Sequence, residues 1–238
     1  MRTARRILLA SLGIAALLTL FGCVYLRLLE VKSQLRDFDA HFTTGGRPSW
    51  HVEFKNPVLT AKDAIFMIGA PPLSISTGTG EDIYHFEFEM VRSTPAVPTA
   101  LERLSLQLHL KEKMLLRIEA PETFLLYFSR RVLEETLRQA KDAEVFQLER
   151  TARATVRLSK DADAELPSLE RTRLLLGEPM ESRKDGPLWT LTYRYRIVGD
   201  KREKPAIAAR LTFLPDGSMI RAVISWGIST VDATFPRE

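Results

Sequence analysis

The sequence predicts an α+β protein built from two tandem helix–strand–helix–three-stranded antiparallel sheet units behind an N-terminal membrane-anchoring segment. Three observations predict it. An Arg-flanked apolar run opens the chain, segments of period-two alternation are separated by Gly/Pro turns, and the order of elements after residue 120 repeats the order before it. The boundaries are 1–23 for the anchor, 24–119 for the first unit and 120–238 for the second.

Arg2, Arg5 and Arg6 precede the uncharged stretch Ile7 to Phe21, which closes on Gly22 and Cys23. This is the anatomy of an export signal, and the positive flank keeps the N-terminus cytoplasmic while the rest is translocated. Leu20-Phe21-Gly22-Cys23 is similar to a bacterial lipobox, in which the cysteine receives the lipid and becomes the new N-terminus; Phe21 is bulkier than the usual residue there. Cys23, the only cysteine, is therefore the candidate lipidation site. The apolar character continues to Leu26, however, and Ile7 to Leu26 has about the twenty residues of a bilayer-spanning helix. Lipoprotein and uncleaved single-pass anchor both stay open, as does a plain cleaved signal.

Leu28, Val31, Leu35, Phe38 and Phe42 then recur at helical spacing, with no Gly/Ser/Pro tether before them. The body should thus sit close to the bilayer. Residues Thr43 to Pro48 read as a loop, and Trp50, Val52 and Phe54 as the inward side of a strand. Thr60 caps a short helix, Ala61 to Ile68, stopped by Gly69. Tyr84, Phe86 and Phe88 alternate in the next strand, and Leu104 to Leu110 and Met114 to Ile118 flank a turn at Lys111-Glu112-Lys113.

In the second half, Pro121 and Glu122 open a long helix with Phe124, Phe128, Val132 and Leu137 on its buried side. A short strand around Thr155 to Leu158 follows, then a Ser168-capped helix to Leu176 stopped by Gly177. Trp189, Leu191, Tyr193 and Tyr195 alternate in a strand, and Ile207 to Phe213 pairs with Met219 to Trp226 through Pro215-Asp216-Gly217. Each three-stranded meander has an apolar face that a helix must cover; whether the two units share a sheet is left open.

Pro167-Ser168-Leu169, Leu174-Leu175-Leu176-Gly177-Glu178-Pro179, Trp189-Thr190-Leu191-Thr192-Tyr193 and Leu211 to Gly217 together resemble the BamE/SmpA-type outer-membrane lipoproteins, which share a compact helix-plus-sheet fold with the β-lactamase inhibitor protein. The likeness spans about Pro167 to Trp226, and Pro57 to Met90 more loosely. It implies that fold in two copies, and an outer-membrane compartment. It brings no functional residues with it.

Charge argues against nucleic acid. Three of the 34 basic residues lie in the leader, which leaves 31 against 30 acids, interspersed along the body. One cysteine excludes an intrachain disulfide and a cysteine-based zinc site. His41, His51, His85 and His109 have no metal-ligand spacing, and no nucleophile elbow or phosphate loop is present. Ser76 to Gly80 leads into a strand, and Asp161, Asp163 and Glu165 read as a solvated loop. The expectation is a protein with no catalytic residues, no metal and no cofactor. Its partners would be the membrane and an envelope protein, and it would act as a scaffold or interaction module. A lipid or amphiphile carrier, using the aromatic sheet face as a groove, is the alternative; a small-molecule ligand is left unassigned.

Overall fold

A computed structural model describes residues 24–78, 80–92, 99–146, 151–200, 206–226 and 229–236. The described chain begins in a helix, α1 (24–34), continued by a 3-10 turn at Leu35–Asp37 and a short helix α2 (Phe38–His41). Two strands follow, β1 (Phe42–Gly45) and β2 (Trp50–Phe54), then α3 (Ala61–Ile68). The further described elements of this half are strands: β3 (Ser74–Thr77), β4 (Asp82–Met90), β5 (Arg103–Lys111) and β6 (Met114–Ala120). The second half runs α4 (Glu122–Leu125), α5 (Arg130–Gln139), β7 (Glu144–Phe146), β8 (Thr151–Thr155), α6 (Lys160–Ala164) and α7 (Leu169–Leu176). It closes with β9 (Glu181–Asp185), β10 (Leu188–Ile197), β11 (Ile207–Phe213), β12 (Met219–Trp226) and β13 (Ser229–Thr234).

Two tandem helix–strand–helix–three-stranded units do not describe the architecture, and the open question of a shared sheet is answered by a single large one. The 13 strands of the described residues belong to one sheet, in the order β1-β2-β6-β5-β4-β10-β11-β12-β13-β8-β7, with β3 added to β4 and β9 to β10. Among the described residues every ladder is antiparallel except β13 with β8, so the sheet is mixed. The join is the antiparallel seam between β4 and β10, where Phe88, Glu89 and Met90 face Ile197, Arg196 and Tyr195. Val91 N–H donates to the Arg194 carbonyl and Val198 N–H to that of Glu87, extending the ladder by one bond at each end. The physical reason is edge satisfaction. Strands of nine and ten residues, apolar on one face, would each leave a row of unpaired amides and carbonyls if the units stood apart. Pairing their C-terminal halves with each other, and their N-terminal halves with β3 and β9, fills both rows.

The period-two pattern then decides the two faces. Phe86, Phe88, Leu108, Leu191, Tyr193, Tyr195, Leu211 and Phe213 point to one side and are all buried. They belong to a single apolar cluster that runs from Phe38 to Phe235 and includes side chains of both halves. Polar bonds cross between the halves as well. Tyr195 Oη donates to the Leu101 carbonyl at 3.0 Å, and Arg138 of α5 forks onto Asp39 at 2.7 and 3.0 Å while lying over the Phe38 ring. Arg130 reaches the Pro48 and Ser49 carbonyls.

Local signals explain most of the elements. Thr60 and Asp63 form a reciprocal capping box on α3, and Gly69 ends that helix in the left-handed region at φ 82°. Ser168 Oγ accepts from Arg171 N–H at the start of α7. Glu112 and Lys113 both take positive φ in the two-residue β5–β6 hairpin, and Leu214 and Gly217 close the β11–β12 turn. Gly177 also has positive φ, and a Cβ there would sit 3.1 Å from both Arg92 and Thr99.

Several expectations differ in detail. The long helix after Pro121 is two helices, because Ser129 adopts extended backbone and caps α5 through Val132 N–H. The apolar stripe from Leu28 to Phe42 is broken, with Phe42 in β1 rather than on the helix. Thr43 to Gly45 also belong to β1, and the strand expected at 155–158 is centred earlier, in β8. Asp161 and Asp163 lie in α6, capped by Ser159, rather than in a loop.

Phe86 sits fully buried beside the seam. Phe86→Ala is expected to cost about 3–5 kcal/mol, measured as a shift in urea midpoint with unchanged slope. A loss under about 1 kcal/mol would mean that the seam region is not well packed.

Candidate functional site

Cys23, the candidate lipidation site, lies outside the described residues, as do the Arg residues of the leader and most of the run from Ile7 to Leu26. Among the described residues no helix is long and apolar enough to cross a membrane. What the structure does describe is how the chain leaves that segment.

It leaves as α1, and α1 is clamped to the body. Val31 and Leu35 pack against the core, and Gln34 is buried with its side-chain amide donating to the Asn56 carbonyl at 3.0 Å. Nearer the start, Arg27 forks onto the carboxylate of Asp63, Nε to Oδ2 at 2.7 Å and Nη2 to Oδ1 at 2.5 Å. Asp63 is fully buried, and it also accepts from Thr60 N–H at 2.8 Å and Thr60 Oγ1 at 2.7 Å. One carboxylate therefore caps α3 and holds α1 with four hydrogen bonds, which is what a buried charge requires. Burial pushes the Asp63 carboxyl up, but the bonds from Arg27 and Thr60 outweigh it and hold it below the usual carboxylate range.

Around this clamp the surface is apolar and basic. Leu26, Leu28 and Leu29 are 65, 36 and 37% exposed on α1, and Phe66 is 40% exposed on α3. Lys62 precedes Phe66 by one helical turn and is exposed, as are Lys111 and Lys113 in the β5–β6 hairpin. That hairpin adjoins the α3 N-terminus, since Ala61 N–H donates to the Lys113 carbonyl.

The polar face of the sheet carries a second cluster, which linear sequence separates by up to 70 residues. His109 and Arg117 are cross-strand neighbours in the β5–β6 hairpin, and Glu119 follows two residues on. Arg117 Nη2 lies 3.0 Å from His109 Nδ1, Glu119 lies 3.3 Å from Nε2, and Glu81 lies 3.6 Å from Nδ1. Ser49 Oγ donates to the other Glu119 oxygen at 2.7 Å. Burial first and Arg117 second lower the His109 pKa, against the raising influence of Glu119 and Glu81, so the imidazole is neutral at pH 7. The serine binds the carboxylate rather than the imidazole, so no Ser–His pair is formed in this cluster. The cluster buttresses the hairpin beneath the basic tip. Sequence reading missed it because strand pairing, not spacing, assembles it.

The other histidines are scattered. His41 Nδ1 is 2.9 Å from the Asn56 amide, His85 Nε2 is 3.1 Å from Ser76 Oγ, and His51 lies beside Gly45 and Gly46. No group of three metal-ligating side chains occurs among the described residues. Asp161 and Glu165 both pair with Arg131 instead. The aromatic sheet face lies within the core, with Trp189 half-buried at its margin. A depression of about 480 Å³ opens on the opposite side, lined by Leu188, Leu214, Ile220 and Phe235 among others.

No family model matches the chain, and no curated protein and no solved structure matches it.

Asp63 ionises below its unfolded pKa near 3.8, so its contribution is complete above that value and lost as pH falls through the folded one. Arg27→Gln leaves the buried carboxylate with Thr60 alone and is expected to cost about 3 kcal/mol at pH 7. Because the lowering then disappears, the gap between variant and parent should narrow as pH falls below about 4 in urea titrations. An equal gap at pH 7 and pH 3 would show that the pair holds no charge-dependent stability.

Proposed function

We propose that this chain is a bacterial envelope protein, tethered to a membrane by its first two dozen residues and lipidated at Cys23, whose body is a non-catalytic interaction module. The observation that carries the reading is the Arg27–Asp63 clamp. It fixes the first described helix, directly downstream of the Arg-flanked apolar run, to the body without a flexible linker. A body built to reach away from a membrane needs slack at that point, and this one has an ion pair there whose carboxylate is buried.

Two further features support the module reading. The sheet has one face committed to core, the other carries paired charges such as Arg196 with Glu89 and Arg221 with Asp232 beside the shallow depression at Leu188 and Ile220, and in the polar cluster around His109 no Ser–His pair is formed. The resemblance of Pro167 to Gly217 to the BamE/SmpA-type lipoproteins favours the outer membrane, as does Val24 after the cysteine by the sorting pattern of enteric bacteria. Phe86, Phe88, Tyr193 and Tyr195 pack inside the core, which takes them out of the open groove that the carrier alternative needs.

Two measurements test this. Mass analysis of the protein from its native membrane is expected to show residues 1–22 absent and a diacylglyceryl group on Cys23; an intact Met1 would replace lipidation by a helical anchor, and a soluble, unmodified protein would remove the tether altogether. Extraction in mild detergent followed by affinity purification is expected to recover a stoichiometric envelope protein. Repeated recovery of the chain alone would count against the module.

A further inference from the structure

We infer that the body lies on the bilayer in one fixed orientation, with the start of α1, the exposed side of α3 and the β5–β6 hairpin tip against an anionic lipid surface. This rests on the tether proposed above and adds to it a defined contact surface. The occupant is set by the chain itself: Cys23, which carries the lipid in the reading above, immediately precedes α1, so the membrane that holds it adjoins the first turn of α1.

The first turn is shaped for such a neighbour. Leu26 is the most exposed residue of the three leucines there at 65%, while Arg27 between them is turned inward and engaged by Asp63. A helix rises about 1.5 Å per residue, so Leu26 to Leu29 lie within about 5 Å along the axis of one another, inside the depth at which amphipathic surfaces meet a headgroup region. Since Asp63 is in the first turn of α3, the clamp brings the α3 N-terminus to the same level. Phe66 is exposed one turn further along, and it shares its side of α3 with Lys62 at i, i+4 spacing. The hairpin tip arrives beside them through the Ala61–Lys113 backbone bond and the Thr60–Met114 bridge.

The charges complement lipid of negative headgroup. Lys62, Lys111 and Lys113 are exposed on this surface; the acids on the same turns are Glu30, Glu112 and the Arg27-paired Asp63, and Glu81 stands beside the hairpin at His109. Aromatic and leucine side chains ringed by lysine form the composition that partitions into an anionic interface. The elements concerned cannot reorient singly. α1 is held by Arg27 and Gln34, α3 by its capping box, and the hairpin by the His109–Arg117–Glu119 cluster.

Lysine labelling of the intact chain tests the orientation without altering it. The protein is reconstituted into vesicles of phosphatidylcholine with phosphatidylglycerol, treated with an amine-reactive acylating reagent, and compared by mass spectrometry with the same protein in detergent. Lys62, Lys111 and Lys113 are expected to lose reactivity several-fold on the vesicles. Lys160 and Lys184, exposed on α6 and β9, should react equally in both settings. Uniform reactivity of all five on floated vesicles would overturn the orientation while leaving the tether intact; failure of the protein to float with vesicles would overturn the tether instead. Arg27→Gln serves as the second arm, expected to float normally and to lose part of the protection, since the first turn of α1 is then held to the body only through Gln34, Val31 and Leu35 further along. Unchanged protection in that variant would show that the clamp does not set the orientation.

Discussion

The structure depends on the seam between β4 and β10. Each strand has one apolar face that must be covered and two edges that must be paired, and half of one edge on each is filled by the other strand. Because the pairing places Met90 beside Tyr195 and Phe88 beside Ile197, the inward rows of both halves run on as one surface. A continuous surface needs a continuous core, and the buried cluster from Phe38 to Phe235 is that core. The helices follow: α5 lies across to the first half through Arg130 and Arg138, and Tyr195 reaches Leu101. The two halves are thus mutually dependent, although their pairing orders mirror one another, β2-β6-β5-β4 on one side and β8-β13-β12-β11-β10 on the other.

Elements governed by local chemistry were legible in the sequence. Thr60 and Ser168 announce helices because a side-chain oxygen three residues ahead of an amide satisfies it. The hairpins at Glu112-Lys113 and Pro215-Asp216-Gly217 follow from turn chemistry between alternating strands. What was not legible depends on distant partners. β3 and β9 are short and wholly exposed, and Glu181 to Asp185 carries charge at four of five positions, so nothing in their composition marks a strand; each forms because a longer strand offers it an unfilled edge. β13 separates β12 from β8 and makes the second half larger than the first, a choice fixed by parallel pairing that local pattern cannot show. The break between α4 and α5 was readable in principle from Ser129 ahead of Val132, but the apolar spacing across it imitates a single helix.

The candidate site divides in the same way. The apolar leader and Cys23 stand out on sequence alone because they are linear signals. Arg27 and Asp63 are 36 residues apart and look like two ordinary surface charges, and only the docking of α1 on α3 turns them into a buried pair. That pair links α1 to the sheet: α1 is held by Asp63, Asp63 caps α3, α3 packs on β6, and β6 is tied through β5 and β4 to the seam. A body so connected transmits the position of α1 to the whole sheet, which is the property the proposed surface-bound module needs and a swinging one lacks.

Mutual dependence of the halves is tested most directly by unfolding them under separate observation. Trp50 lies in β2 and Trp189 in β10, so two single-tryptophan versions, with the remaining tryptophans replaced by phenylalanine, report on one half each. In urea the account predicts one transition, with the same midpoint and slope from both reporters and from far-ultraviolet circular dichroism. Two separated transitions, one for each tryptophan, would contradict it and show that the halves fold as independent units.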